Sequence, residues 1–460
     1  MIVNRIDSKL NSFEIFTLFK EAADAIFLDS GRDHDGMGRY SIIAVNPFER
    51  ILNKGKETRI EDLRTSEIST QSVTGNPFKI LREKMDQYKM DYTSDLPFVG
   101  GAVGYFGYDL CHHIEELTRT AQDDVDIPDL YLCFYNGAVI IDHQENAVFI
   151  SDAELNPGGK ERVDDLIDTI MRGETGSVEL DLQNHENPVE FKPNMDKDTY
   201  LNSVRRIKEY IRTGDIYQAN MTQRFETDLR DQPLALYKKL RDINPAPFAS
   251  YLDFGSGQIV SSSPERFLKV RDGKIETRPI KGTLPRGATP EEDERLKVEL
   301  QNSKKDRSEL LMIVDLERND LSRVAKTGSV KVPELFVIES YATVHHLVST
   351  VTAELRDDLS VVDLLEASFP GGSITGAPKI MAMNVIDELE PTQRNIYTGS
   401  IGYLDFNGNA DLNIVIRTII CKDEKAYFQV GGGIVWDSDE YKEYDETLDK
   451  ARALMNALSH

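Results

Sequence analysis

Two segments of the chain each offer carboxylates one helical turn apart. In DRSELLMIVDLERNDL, Asp306 and Glu309 stand at i and i+3, directly before the apolar run Leu310–Val314. In EYKEYDETLDKARALMNAL, Glu443, Glu446 and Lys450 follow at +3 and +4 and stack on one helix face. Beside them runs an apolar stripe of Tyr441, Tyr444, Leu448, Ala451, Leu454 and Leu458. A carboxylate bordering so apolar a run lies near the buried side, where an unpaired charge is costly. Two helices with such pairs can assemble an all-oxygen site for a hard divalent cation. Mg²⁺ suits it best, because Mg²⁺ accepts a few carboxylates, keeps waters and shares an oxygen of its substrate. A structural ion-pair network explains the spacing equally well, and a solvated Glu446–Lys450 pair is the simpler reading of the second segment alone.

Other residues have the chemistry to receive an anion. Arg417 interrupts the apolar strand LNIVIRTII, and its planar fork matches a carboxylate. The next strand ends in Gly431-Gly432-Gly433, where successive bare backbones can cradle an oxyanion. A buried salt bridge and a bulge would explain both. In FPGGSITGAPK, Ser373 and Thr375 precede Pro378, so that Thr375 is a candidate N-cap and the helix start a candidate anion seat. A plain structural cap is the ordinary alternative. His346 lies in the strand-like YATVHHLVST, where a satisfied core histidine is the commoner outcome. Glu265, in SSSPERFL, could simply pair with Arg266. Finally, TRPIKGTLPRG (277–287) reads as a stiff, turn-rich loop that holds one lysine, Lys281, between Ile280 and Gly282.

These residues need a scaffold. The polar stretch 171–196 reads as a linker between a first part, 1–170, and a second, 197–460. The first part mixes strand-like runs such as YSIIAVNPF with helical patterns, and the glycines of FVGGAVGYFGYDL suit close backbone packing rather than a phosphate loop. The second opens with a helix whose Tyr200, Val204, Ile207 and Ile211 recur at helical spacing up to Gly214. Short strands follow, with Asp272-Gly273 as a hairpin signal, and helical patterns cover 306–325, 376–389 and 440–458. The expected class is α+β, large antiparallel sheets with helices packed outside.

The net charge of −25, without a basic stripe, argues against nucleic acid and anionic membrane surfaces as partners. No early apolar run is long enough to span a bilayer, and the start lacks a signal-peptide layout. Three cysteines without CxxC spacing point to a reducing compartment, with the cytoplasm as the expectation.

Taken in order, GDIYQANMTQRF, SSSPERF, RPIKGTLPRG, DRSELLMIVDLERNDL, HHLVS, FPGGSITGAPK, GSIGY, IVIRT, GGGIVWDSD and EYDETLDKA resemble the chorismate-utilising family. That family includes the first components of anthranilate and aminodeoxychorismate synthases and the isochorismate and salicylate synthases. The resemblance is dense over 195–460 and weaker in LDSGRDHDGMGRYSII and LPFVGGAVGYFGYDL. It implies a two-sheet core with chorismate and Mg²⁺ in a cleft. Glu309 and Glu446 would be the main metal-side carboxylates, with Asp306 and Glu443 beside them, and the metal would hold the ring carboxylate. Arg417, Tyr397 and Gly431, Gly432 and Gly433 would receive the enolpyruvyl carboxylate, and Lys450 would add positive charge. His346 and Ser373 would line the cleft near the ring, and Glu265 would protonate the departing C4 hydroxyl.

Within the family, anthranilate synthases carry PIAGT, whereas PIKGT resembles the aminodeoxychorismate synthase type. In that type the lysine attacks C2 as the C4 hydroxyl leaves, and ammonia then adds at C4 and expels it. Such a lysine needs a lowered pKa. Ammonia would come from a separate glutamine amidotransferase subunit, because none of Cys111, Cys133 and Cys421 lies in a glutaminase-like elbow. An anthranilate synthase with an atypical loop, an isochorismate-forming enzyme and a non-catalytic relative are the competing readings. Tryptophan-regulated members carry Leu-Leu-Glu-Ser where this chain has Phe27-Leu28-Asp29-Ser30. Ser30 together with Asn244 and Pro245 keeps the outline of an amino-acid pocket.

Overall fold

The computed structural model describes residues 1–22, 24–30, 37–65, 67–174, 189–341 and 344–459. Among them, two 12-stranded sheets account for most of the core. Neighbouring strands in both run antiparallel, as in Ile26–Asp29 against Phe248–Asp253 in one and Gly101–Phe106 against Ser400–Asp405 in the other. Those two pairings also join residues from either side of the stretch expected to be a linker. Of that stretch, Met171–Gly173 finish the helix Gly159–Gly173, Lys192–Pro193 form a short strand, and 175–188 lie outside the described residues.

The layers follow from which faces are apolar. Ile42, Ile140, Leu252 and Ile420 of one sheet meet Val103, Tyr105, Tyr131 and Tyr403 of the other in a shared interior. Each sheet's outer face is covered by helices, for example Glu440–Ser459 on one and Lys304–Ser322 on the other. This is the α+β arrangement expected. Glycines permit the tight spacing: a Cβ on Gly101 would stand 2.1 Å from the Leu404 carbonyl oxygen. The Asp272-Gly273 hairpin also forms, with both residues at positive φ (50° and 72°), as a two-residue primed turn requires. The helix Lys197–Thr213 stops at Gly214 (φ 86°).

The feature that positions the site is a pair of crossings from sheet to sheet. The strand Gln258–Ser263 belongs to one sheet and Arg266–Arg271 to the other, so Glu265 lies on the connection. The chain crosses back between Ala410–Asn413 and Thr418–Lys422, and Arg417 lies on that second connection. The two crossings are bonded side by side: Ile414 N–H donates to the Glu265 carbonyl at 2.9 Å, and Ser262 N–H to the Arg417 carbonyl at 3.1 Å.

Three expectations need correction. Arg417 does not interrupt a strand; it ends a crossing, with φ at 54°, a left-handed conformation that costs a non-glycine residue about 1–3 kcal/mol. Gly431, Gly432 and Gly433 are not a terminal cradle. They lie inside the strand Lys425–Ile434 and pair with Thr222, Met221 and Asn220. Thr375 does not cap a helix: its hydroxyl donates to the Gly371 carbonyl at 2.9 Å, and the helix begins only at Lys379.

Candidate active site

Lys281 is half-buried on the strand Ile280–Pro285, an edge strand against Val344–Glu354 rather than a free loop. Its register slips between Lys281 and Thr283, at Gly282. That glycine has φ 75°, and a Cβ there would stand 2.8 Å from the Asp306 carboxyl carbon. The bulge therefore re-aims the lysine, and Asp306 packs against its floor. Lys281 Nζ donates to the Ser373 carbonyl at 3.0 Å. Burial pushes the lysine below its ordinary value; Glu309 and Glu265 pull it back, and Lys450 adds to the downward push.

The Glu265 carboxyl is buried and raised, chiefly by burial, against the pull of the Ser373 hydroxyl that bonds it and of Lys281. His346 Nδ1 meets the Thr283 hydroxyl at 2.8 Å. Burial and the Arg417 charge push the imidazole down to about 4, so it is neutral at physiological pH. Arg417 is itself lowered by burial and donates through Nη1 to the Lys450 carbonyl at 2.6 Å. Tyr397 is buried beside the Arg394 guanidinium, which the carboxylate of Glu390 holds at 2.7 Å in a buried pair.

The acidic pairs converge from their two helices. Lys305 Nζ lies 3.9 Å from Glu309 Oε1 and 3.8 Å from Glu443 Oε1, so carboxylates of both helices face one cation. Burial raises Glu309 and Glu443. Burial also pushes Glu446 up, but the Lys450 ammonium at 2.7 Å, together with Lys305 and Lys281, outweighs it and the carboxyl ends below its ordinary value. Lys450 further donates to the Gly431 carbonyl at 2.8 Å. The bare Cα of Gly432 faces this group: a Cβ there would lie 3.4 Å from Glu443 Oε2 and 3.5 Å from Glu446 Oε1. Among the described residues no three carboxylates, histidines or cysteines are drawn close enough to hold a metal unaided. The set nonetheless fits Mg²⁺: it is all oxygen, Glu309 Oε1 is buried with no hydrogen-bond partner, and Mg²⁺ needs only a few protein ligands beside water and substrate.

Lys281, Glu265, Ser373, His346, Arg417, Tyr397, Gly432, Lys450 and the four carboxylates thus form one connected group. Ser30, Asn244 and Pro245 lie elsewhere. Ser30 lines a cavity of about 260 Å³ between the sheets, together with Arg39, Phe248, Ser250 and Tyr403. Asn244 instead bonds Ser262 Oγ at 3.1 Å and, like Pro245, does not line that cavity.

Gln218 carries no chemical signal in its residue type, yet both polar atoms of its fully buried amide lack hydrogen-bond partners. Gly433 makes room for it, since a Cβ there would stand 2.4 Å from Gln218 Nε2. The signal was the alternation of QANMT, which puts Gln218, Asn220 and Thr222 on one face of a strand.

A lysine of lowered pKa, a buried carboxyl, the Arg417 guanidinium and a carboxylate-rich pole are the equipment of an enzyme site. The chain belongs to the chorismate binding enzyme family, whose model matches residues 24–456. It is 43% identical over 437 residues to aminodeoxychorismate synthase component 1 of Escherichia coli K12, covering 94% of this chain and 93% of that one. It is 41% identical to anthranilate synthase component 1 of Acetivibrio thermocellus, covering 96% and 92%. The crystal structure of anthranilate synthase component I from Streptococcus pneumoniae TIGR4 superposes with a TM-score of 0.81 at 33% identity, covering 92% and 93%. The chain is therefore a chorismate-utilising enzyme. No helix among the described residues is long and apolar enough to cross a membrane.

Proposed function

We propose that the chain aminates chorismate at C4 to give 4-amino-4-deoxychorismate, the aminodeoxychorismate synthase activity. The observation that carries this reading is Lys281, a lysine of lowered pKa aimed by a bulge and held by the Ser373 carbonyl. Its neutral amine attacks C2 of the ring. The C2–N bond forms, the two ring double bonds each shift one position, and the C4–O bond breaks. Glu265, whose burial favours the protonated form, gives its proton to the departing oxygen, which leaves as water. Ammonia then bonds to C4, the double bonds shift back, and Lys281 is released from C2. The proton shed by the ammonia nitrogen restores Glu265.

Arg417 and Tyr397 would hold the enolpyruvyl carboxylate, and His346 and Ser373 would border the ring. Glu309 and Glu446, with Glu443 and Asp306 beside them, would hold Mg²⁺, which when bound would fix the ring carboxylate and draw electron density from C2. Ammonia would come from a glutamine amidotransferase partner in the cytoplasm. In support, the similar E. coli protein is named as a component 1, and all three cysteines of this chain are buried.

Anthranilate synthesis is the second reading, favoured by the 41% identity to the A. thermocellus protein. The two are separated by incubating the chain with chorismate, Mg²⁺ and excess ammonium, with and without an added aminodeoxychorismate lyase. 4-Aminobenzoate that depends on the lyase is expected. Fluorescent anthranilate would sink the proposal.

A further inference from the structure

The helix Lys304–Ser322 carries a second buried carboxyl that the chemistry above does not use. Glu317 follows Glu309 and Ile313 at successive +4 steps, and it is 3% exposed. Its Oε1 accepts the Gly372 N–H at 3.2 Å, while Oε2 is buried with no hydrogen-bond partner. The charged groups facing it are Asp320 on its own helix, Lys379 at the start of the helix Lys379–Leu389, and Glu265. Lys379 is committed elsewhere, donating to Asp320 Oδ2 at 2.5 Å and to the Ser368 carbonyl at 2.8 Å. Burial drives both carboxyls up, and the lysine beside Asp320 leaves the charge there and the proton on Glu317.

A Leu or Met would fill this space without the cost of an unpaired polar oxygen. The backbone supplies the reason for a carboxyl. Gly372 opens a short 3₁₀ turn, Gly372–Ile374, that has no side-chain cap. Its N–H would be an orphan without Glu317. The fit is close, since a Cβ on Gly372 would stand 2.6 Å from Leu316 Cδ2 and 3.2 Å from Glu317 Oε1. The next residue is Ser373, whose carbonyl receives Lys281 Nζ and whose hydroxyl bonds Glu265. A single residue therefore separates the Glu317 contact from both groups that act on the ring.

We propose that Glu317 is a positioning residue: its Oε1 pins the Gly372 turn and so sets the line of attack of Lys281 and the aim of Glu265. This rests on the reading of those two residues as the reacting groups. It does not require a charge on Glu317, only an acceptor oxygen at that point.

Three purified variants test it, each checked for fold by circular dichroism. Glu317→Gln keeps an acceptor for the Gly372 N–H and should hold kcat within about threefold of the parent. Glu317→Met removes the acceptor and should lower kcat roughly 10- to 100-fold, the scale of an ångström-level misplacement, with KM for chorismate little changed. A second readout follows Lys281 directly, through the pH dependence of its modification by trinitrobenzenesulfonate. Its midpoint should rise toward an ordinary lysine in Glu317→Met and stay put in Glu317→Gln. If Glu317→Met does not fold, Gly372→Ala displaces the same turn and should give the same signature.

Unchanged kcat and an unchanged lysine midpoint in Glu317→Met would overturn the proposal, as would Glu317→Gln being equally impaired. Full C4 amination by Lys281→Ala would instead overturn the reading of Lys281, while the lysine-modification profile would still judge Glu317.

Discussion

Lys281 Nζ and the backbone carbonyl of Ser373 meet at 3.0 Å, joining an edge strand of one sheet to the turn that follows Gly371. The bond holds an amine that its surroundings prefer neutral. Its counterparts, Glu265 and Glu309, are raised by the same burial, so the cleft favours uncharged groups on both sides of the proton inventory.

That preference sets Lys281 against stability. Its pKa is depressed in the folded chain, so between the folded value and the ordinary one the unfolded chain binds the extra proton. Folding stability therefore rises as pH climbs through the folded value toward the ordinary lysine value of 10.5. Lys281→Met should remove this cost. We expect the variant to need more urea to unfold than the parent at pH 7, with the gap narrowing near pH 10. Its C4 amination should fall by roughly 10³-fold or more, as when a covalent nucleophile is deleted. A variant less stable than the parent at pH 7 would contradict the burial argument.

His346 gives a second pH prediction, with a different window. Its folded value of about 4 lies below the unfolded 6.5, so the unfolded chain gains a proton first as pH falls. The stability is complete above 6.5 and is lost progressively down to about 4. Between pH 7 and pH 5 the imidazole should account for about 2 kcal/mol of lost stability. Urea titrations of the parent and His346→Gln at those two pH values should differ by that amount, with the variant the less acid-sensitive.

The sequence made the helices and the acidic pairs legible because periodicity is local. Asp306 with Glu309, and Glu443 with Glu446, could be assigned to one face each by counting turns. The apolar flanks of both helices also foretold which side would be buried. What it hid was decided by contacts distant in sequence. LNIVIRTII reads as one strand, yet the chain changes sheets within it. No local pattern distinguishes an arginine inside a strand from one at a crossing bonded to Ser262. The glycines 431–433 read as a strand end with free backbone N–H groups for the same reason: their partners, 220–222, lie far earlier in the chain. Likewise the stiff loop around Lys281 is a strand, because Val344–Glu354 supplies the ladder.

The carboxylates of the two helices make a prediction about divalent cations. Glu309→Gln and Glu446→Gln each remove one negative oxygen from the proposed Mg²⁺ site. Mn²⁺ binding to the substrate-free chain, followed by electron paramagnetic resonance, should weaken by about tenfold or more in each. Chelation of the metal should abolish turnover of the parent, and added Mg²⁺ should restore it. Mn²⁺ binding unchanged in both variants would leave the carboxylates with only their ion-pair role toward Lys305 and Lys450.

Two neighbouring glycines should fail in opposite ways. A Cβ on Gly431 would stand 2.4 Å from Thr222 Cγ2 and 2.5 Å from the Met221 carbonyl oxygen, and backbone cannot yield as a side-chain tip can. Gly431→Ala should therefore destabilise the fold by about 1–3 kcal/mol, visible as a lower urea midpoint. A Cβ on Gly432 meets only ordinary contacts, at 3.4 Å from Glu443 Oε2, 3.5 Å from Glu446 Oε1 and 3.6 Å from Lys450 Nζ. Gly432→Ala should fold with near-parental stability. Its methyl group, however, enters the space shared by the carboxylates and the ammonium, where substrate and metal would have to fit. We expect kcat/KM for chorismate to fall by about tenfold or more, the scale of roughly 1.4 kcal/mol. If Gly432→Ala were as active as the parent, the substrate would have to lie away from the face where Glu443, Glu446 and Lys450 meet.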